Sequence, residues 1–129
     1  MRAALLIVLG LAIGIVGTVF AMNALRERDP LPHAVMHVMA YHAGQLKQEL
    51  KAQRCDAGTS QHHLVQLQAV SSDIAPAFAG ADEGFFKAAD KLHAAVNGAV
   101  QAAPADCPAL AAAMKPVGDA CQSCHEQYR

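Results

Sequence analysis

The sequence predicts an all-α protein, an antiparallel up-down-up-down four-helix bundle preceded by an N-terminal transmembrane helix. Hydrophobic residues make up 53% of the chain while aromatic residues make up only 5% and Trp is absent. The excess comes from Ala, Leu and Val, which favour closely packed helices. Beyond residue 30, apolar residues recur at three- and four-residue steps in four segments separated by turn-forming residues.

The N-terminal apolar segment covers residues 3–22, which carry no charge and follow Arg2. At about 1.5 Å per residue, a helix of this length reaches about 30 Å, the thickness of the hydrocarbon core of a bilayer. We therefore expect residues 1–25 to anchor the chain in the bacterial inner membrane, with the remainder on the periplasmic side. The alternative is a cleaved signal peptide, because Val19, Phe20 and Ala21 suit a cleavage site, although signal peptides usually contain a shorter apolar segment.

The next residues predict a linker over 26–32 and a folded domain over 33–129. Pro30 and Pro32 support the linker, because each proline fixes its own φ and disfavours helix at the preceding residue. The first bundle helix is expected from about Leu31 to Arg54, and the second, after a turn at 56–60, from about 60 to 75. The apolar stripe of the first helix consists of Met36, Met39, Ala43, Leu46 and Leu50.

The third and fourth bundle helices follow a loop around Pro76 and Gly80. Asp82 suits the start of the third helix, which is expected to end near Gln101. Pro104 and Asp106 open the fourth segment, whose apolar stripe runs through Leu110, Met114, Val117, Cys121, Cys124 and Tyr128. Pro116 and Gly118 are expected to bend this helix without reversing the chain.

The chemistry is concentrated in Cys121-Gln122-Ser123-Cys124-His125, the pattern of c-type haem attachment. Cysteines three positions apart share one face of a helix, so both thiols can form thioethers with the two vinyl groups on one edge of a porphyrin. The imidazole of His125 can then reach the iron. The motif predicts one covalently bound haem c, with His125 as an iron ligand. The alternatives are a thioredoxin-like redox pair, which requires a strand-helix context, and a zinc site, which requires four ligands.

The closing segment, residues 117–129, resembles that of the cytochrome c' family, including an aromatic and a basic residue after the haem ligand. The resemblance extends over roughly residues 31–129 and is diffuse outside the closing segment. It implies a four-helix haem protein of the methionine-ligated, low-spin subgroup, and pairing of two copies through the first bundle helix. The sequence departs from the family at Pro32, where members commonly carry a basic residue near a haem propionate, and in its apolar N-terminal segment.

The resemblance implies that Met36 is the second axial ligand, because aligning residues 34–39 with the family's first-helix pattern puts it there. Its position about one turn into the first bundle helix, at the end where the fourth helix reaches His125, supports this. Met39 lies one turn further along the same stripe and is the alternative, although it suits a flexible core filler. If both methionines only pack in the core, the iron is five-coordinate.

The other histidines are assigned less specific roles. His33, His37 and His42 lie on the first helix, where rotation away from the Met36 position suits contact with solvent or with the haem edge. The remaining three do not form a complete metal-binding spacing and are expected on the surface; they are His62, His63 and His93.

A second cysteine pair is expected to form a disulfide. Cys55 follows the first bundle helix and Cys107 begins the fourth, so both fall at the end of the bundle opposite the haem. The helix lengths match, with about 28 Å from Met36 to Cys55 and about 25 Å from Cys107 to Cys124. The oxidising periplasm favours the bond. Two buried free thiols are the alternative.

These features predict a periplasmic electron-transfer cytochrome with His125 and Met36 as iron ligands, serving redox partner proteins of a respiratory or periplasmic chain. A five-coordinate iron would instead bind NO or CO. A third class is a membrane-tethered helical module without cofactor. Ten basic against eleven acidic residues, with no long run of either, argue against nucleic acid as a partner. The sequence shows no nucleophile, base and orienting group suited to catalysis, so we do not expect an enzyme.

Overall fold

The computed structural model describes residues 2–26 and 30–128. Residues 27–29 of the expected linker, with residues 1 and 129, lie outside the described residues. The described part contains six helices and no strand: α1 (Arg2–Arg26), α2 (Pro30–Ala52), α3 (Ala57–Ser71), α4 (Ile74–Ala77), α5 (Glu83–Ala102) and α6 (Cys107–Tyr128). The chain divides into two compact units, Met1–Pro30 and Leu31–Arg129.

The first unit consists of α1. Its segment Ile7–Ala24 is long and apolar enough to cross a membrane, and its side chains are exposed. The hydroxyl of Thr18 donates to the carbonyl oxygen of Gly14 at 2.8 Å, so it has a partner within its own helix, as a polar group in lipid requires. The helix is consistent with a membrane anchor or with a signal sequence, since both have this length and composition.

The second unit is a ring of four long helices in the order α2, α3, α5 and α6. The hydroxyl of Ser60 on α3 donates to the Glu49 carboxylate on α2. Gln68 on α3 donates to Asn97 on α5 at 2.8 Å, and Gln61 donates to the carbonyl oxygen of Val100 at 3.3 Å. Later residues of α5 thus contact earlier residues of α3, so these two helices are antiparallel.

The ring closes between α6 and α2. A disulfide joins Cys55, just after α2, to Cys107, the first residue of α6, with a Cα–Cα distance of 5.1 Å. At the other end of the bundle, Met36 of α2 and His125 of α6 line one cavity. The end of α2 therefore lies beside the start of α6, and the two helices are antiparallel. The predicted all-α four-helix architecture and the predicted disulfide are confirmed.

The core lies where the four apolar stripes meet. Each long bundle helix contributes a fully buried residue: Leu46, Leu64, Val96 and Leu110 all have 0% exposure. Removing such a side chain from water stabilises the fold by roughly 1.5–3 kcal/mol. The stripes read from the sequence therefore identify the faces that pack together.

The helix boundaries differ from the sequence expectations in the first and second bundle helices. Helix α2 begins at Pro30, inside the expected linker. Prolines fit the first turn of a helix, because the missing amide hydrogens would have no partner there. Helix α3 begins at Ala57, inside the expected turn, because the Asp56 carboxylate accepts a hydrogen bond from the amide of Thr59 at 2.8 Å and caps the helix. The second bundle helix ends at Ser71, and the single turn α4 follows. The hydroxyls of Ser71 and Ser72 donate to the carbonyl oxygens of Gln68 and Ala69, which competes with continuation of the helix.

The expected starts and the expected continuity of the later helices agree with the structure. The Asp82 carboxylate accepts a hydrogen bond from the amide of Phe85 at 2.9 Å and caps α5. Helix α6 continues through Pro116 and Gly118 without a chain reversal. The two cysteines and the histidine of the haem motif therefore lie on one continuous helix.

Candidate haem site

An apolar cavity of about 220 Å³ lies at the end of the bundle opposite the disulfide. Its walls come from all four long bundle helices and from α4. The residues that line it are Met36, Met39, Ala40, Ala43, Leu67, Ile74, Phe85, Ala89, Leu92, Val117, Cys121, Cys124 and His125. The two cysteines and the histidine of the predicted haem motif therefore line one cavity.

Helix α6 presents Cys121 and Cys124 to this cavity because its inner face is otherwise apolar. Val117 and Ala120, directly before the motif, are buried at 2% and 4% exposure. Both cysteines are free thiols and half-buried. Their spacing of three residues places both sulfurs on the same wall.

The end of α6 is held against the start of α5 by aromatic packing. The Tyr128 ring meets the Phe85 ring edge-on, with centroids 5.4 Å apart, and Phe85 in turn packs on Phe78 at 4.8 Å. Phe85 also lines the cavity. Because Tyr128 lies three residues after His125, this contact fixes the part of α6 that carries the imidazole.

His125 lies at the mouth of the cavity, since it lines the cavity and is also exposed. The outer face of the same helical turns is polar. Gln122 donates to Glu126 at 2.7 Å, and Lys115 pairs with Asp119 at 2.7 Å. Helix α6 is therefore amphipathic around the motif, with the reactive groups on the apolar side.

The opposite wall is α2. Met39 is buried with 7% exposure, whereas Met36 is half-buried, and both line the cavity. Ala40 and Ala43 complete this wall with small side chains. Both candidate thioethers thus share the cavity with His125.

The electrostatics of the two thiols argue against a redox-active dithiol. Burial raises the pKa of Cys121, and the nearby Cys124 raises it further. Burial also raises the pKa of Cys124. A catalytic dithiol needs a lowered thiol pKa, so these groups do not suit thioredoxin-like chemistry. In the part of the chain that the structure describes, no group of three or more Cys, His, Asp or Glu side chains could hold a metal ion.

The residues present fit a haem c. Two thiols on one helix face suit the two thioether bonds, and the imidazole one residue later suits the iron. The walls of the cavity are apolar, as the body of a porphyrin requires. When bound, Cys121 and Cys124 would hold the group covalently and His125 would ligate its iron.

The other histidines lie outside this cavity. His33 and His37 are exposed, as expected. His42 differs from the expectation of a solvent or haem-edge position, because it is half-buried and its Nδ1 lies 2.9 Å from Nδ1 of His63 on α3. This contact depends on how α2 and α3 are aligned along each other. The apolar stripes predict which faces pack together but not this alignment, so the contact could not be predicted from them.

His93 and His62 complete the set. His93 is not a free surface residue, since it is half-buried and its Nδ1 lies 2.6 Å from the hydroxyl of the buried Ser71. His62 is exposed, as expected for a surface residue. The expectation of a surface position is therefore wrong for His63 and His93, because contacts between neighbouring helices bury both rings in part.

Comparison with known proteins agrees with this geometry. Residues 80–129 match the family model for cytochrome c'. The crystal structure of cytochrome c' from Rubrivivax gelatinosus matches with a TM-score of 0.64 and 24% sequence identity, over 74% of this chain and 89% of that chain. No curated protein sequence matches the chain significantly.

The family match begins in the segment that caps α5 and runs through α5 and α6, so it includes the whole haem motif. The structural match covers the bundle fold. The matched segment resembles cytochrome c' in sequence, and the bundle has the same fold as the cytochrome c' structure.

Proposed function

We propose that the chain is a periplasmic electron-transfer monohaem cytochrome in which Cys121 and Cys124 hold the haem c and His125 and Met36 ligate its iron. One observation carries the proposal. The haem motif on α6 and the methionine thioethers on α2 line opposite walls of one apolar cavity. A six-coordinate haem requires two axial ligands, and α6 and α2 each supply a candidate.

The residues of the chain support this activity in three ways. A haem c supplies a one-electron redox centre, and a neutral thioether ligand favours its reduced state. Leu67, Leu92 and Val117 contribute apolar side chains to the walls around the site. The two ligands sit on long helices that a disulfide joins at the far end, so their positions are expected to change little between redox states.

The second candidate is a protein that binds NO or CO at a five-coordinate iron. The half-buried position of Met36 is equally that of a side chain which packs against the cavity without ligating iron. The same apolar cavity would then accept a small neutral gas. The two candidates differ in one property, the occupancy of the sixth coordination position.

The absorption spectrum of the reduced, haem-loaded protein with and without CO separates the two candidates. We expect a low-spin spectrum that CO does not change promptly. Met36→Ala is expected to make the iron CO-reactive, and the matched control Met39→Ala is expected to behave as wild type. Prompt CO binding by wild type would refute methionine ligation, and CO reactivity only in Met39→Ala would assign the ligand to Met39.

The proposal includes the location and the partners. Helix α1 would anchor the chain on the periplasmic side of the inner membrane, and the haem domain would exchange electrons with proteins of the respiratory or periplasmic chain. The length and apolar composition of Ile7–Ala24 support the anchor. Pairing of two copies belongs to the same proposal and rests on the family resemblance.

A further inference from the structure

A pair of histidines lies between α2 and α3, away from the haem cavity. Nδ1 of His42 and Nδ1 of His63 are 2.9 Å apart, and the ring centroids are 5.2 Å apart with an angle of 51° between the planes. Neither residue lines the cavity. At this distance one Nδ1 donates a hydrogen and the other accepts it.

The surroundings hold both rings in place. The Tyr41 ring lies edge-on to both imidazoles, at 5.0 Å from His42 and 6.2 Å from His63. The helices beneath the pair are fixed by the fully buried Leu46 and Leu64. Because the two histidines sit on separate packed helices, the backbone brings their nitrogens together before any ligand binds.

We infer that His42 and His63 form a two-histidine binding site for a divalent transition-metal ion of the Cu²⁺ class. Metal–imidazole bonds are about 2.0–2.1 Å long, so two nitrogens at a right angle around the ion lie about 2.8–3.0 Å apart. A tetrahedral ion would need about 3.3 Å. The observed 2.9 Å suits the tetragonal geometry that Cu²⁺ and Ni²⁺ prefer, and only rotation of the rings is needed.

The protons balance without any redox step. The ring that donates through Nδ1 shifts its hydrogen to Nε2 through solvent, which frees the second Nδ1 lone pair. Two neutral rings release no proton, and a pair with one protonated ring releases one. Burial, followed by the nearby His63 and His62, lowers the pKa of His42, which keeps the neutral ligand form available. Water would fill the other coordination positions.

Titration of the untagged, full-length, haem-loaded protein in detergent with Cu²⁺ tests the site. We expect binding of one equivalent and an electron paramagnetic resonance spectrum with hyperfine coupling to two imidazole nitrogens. His42→Gln and His63→Gln should each raise the Kd at least tenfold. The double variant His33→Gln/His37→Gln changes two exposed histidines of the same helix and should leave the Kd within twofold of wild type. The haem absorption should not change.

A Kd within twofold of wild type in either glutamine variant would overturn the inference, as would equal loss of binding in the control. Circular dichroism checks that the variants are folded. A second measurement needs no variant: in wild type with ¹⁵N-labelled histidine, substoichiometric Ni²⁺ should change the resonances of His42 and His63 before those of the other histidines. Changes confined to other histidines would also overturn it.

Discussion

At the scale of single residues, the haem motif is predictable because its chemistry is local. Two thiols and an imidazole within five residues define their own spacing, and burial of the neighbouring Val117 follows from the same stripe. The choice between Met36 and Met39 is not local. Both lie on the inward stripe of α2 and both line the cavity. The apolar periodicity therefore predicts that both methionines face the site but does not decide which of them is the ligand.

The lowered pKa of His42 predicts that the stability of the fold depends on pH. Its pKa is lowered from the ordinary value of 6.5 by burial and by the neighbouring His63 and His62. In the unfolded chain the ordinary value applies, so below pH 6.5 the unfolded state binds more protons than the folded state. The contribution of neutral His42 to the free energy of unfolding is therefore complete above pH 6.5. It decreases as the pH falls below 6.5 and through the lowered pKa of the folded state.

Urea unfolding above and below pH 6.5 measures this contribution. We expect the free energy of unfolding to fall with pH less steeply in His42→Gln than in wild type. His37→Gln is the matched control, because His37 is exposed on the same helix. Equal pH dependence in wild type and His42→Gln would contradict the explanation.

At the scale of elements, the apolar stripes predicted the four long helices, while their ends depended on capping. The Asp82 cap could be predicted, because an acidic residue before an apolar stripe is a typical helix start. The stop at Ser71 and the separate turn α4 could not, because they depend on which carbonyl oxygens the serine hydroxyls contact. The partial burial of His63 and His93 depended on contacts between helices.

The C-terminal cap of α5 provides a prediction about backbone strain. Ala103 has φ 42° and ψ 60°, the left-handed conformation that glycine adopts more readily than alanine. Ala103→Gly should therefore raise the free energy of unfolding by about 1 kcal/mol. Ala102→Gly, one residue earlier and within the helix, should lower it by about 0.5–1 kcal/mol. Chemical unfolding of both variants checks the sign, and destabilisation by Ala103→Gly would contradict it.

At the scale of the whole molecule, short connections between consecutive helices favour an antiparallel bundle. This topology brings Cys55 and Cys107 close enough to form the disulfide. Cys55 and Cys107 lie 52 positions apart in sequence but at one end of the bundle, which equal helix lengths made predictable. The volume of the haem cavity was not predictable, because it depends on how far α2 stands from α5 and α6 after packing.

The disulfide is expected to stabilise the bundle mainly by restricting the unfolded chain. For a separation of 52 residues, the chain-entropy model gives about 4 kcal/mol. Replacing both cysteines by alanine should lower the free energy of unfolding by about this amount, as measured in urea on the oxidised wild type and the double variant. A loss below about 1 kcal/mol would show that the unfolded chain is compact without the bond.

The proposed anchor predicts the behaviour of the full chain in cells. We expect it to stay in the membrane fraction after alkaline extraction, and its mass to include α1. Replacing Leu11 and Ile15, two exposed apolar residues of α1, with Asp should release it to the soluble fraction or prevent export, because charge in the hydrocarbon core is costly. A mature soluble protein that lacks α1 would show that the helix is a cleaved signal sequence.

Covalent attachment of the haem at Cys121 and Cys124 can be measured on denatured protein. The chain should be expressed with the cytochrome c maturation machinery, denatured, and extracted with acidified organic solvent before its mass is measured. We expect the pigment to stay with the polypeptide and to add the mass of one haem, and Cys121→Ala/Cys124→Ala to lose it. Extraction of all pigment from the wild-type chain, or its retention by the double variant, would contradict covalent attachment at these two cysteines.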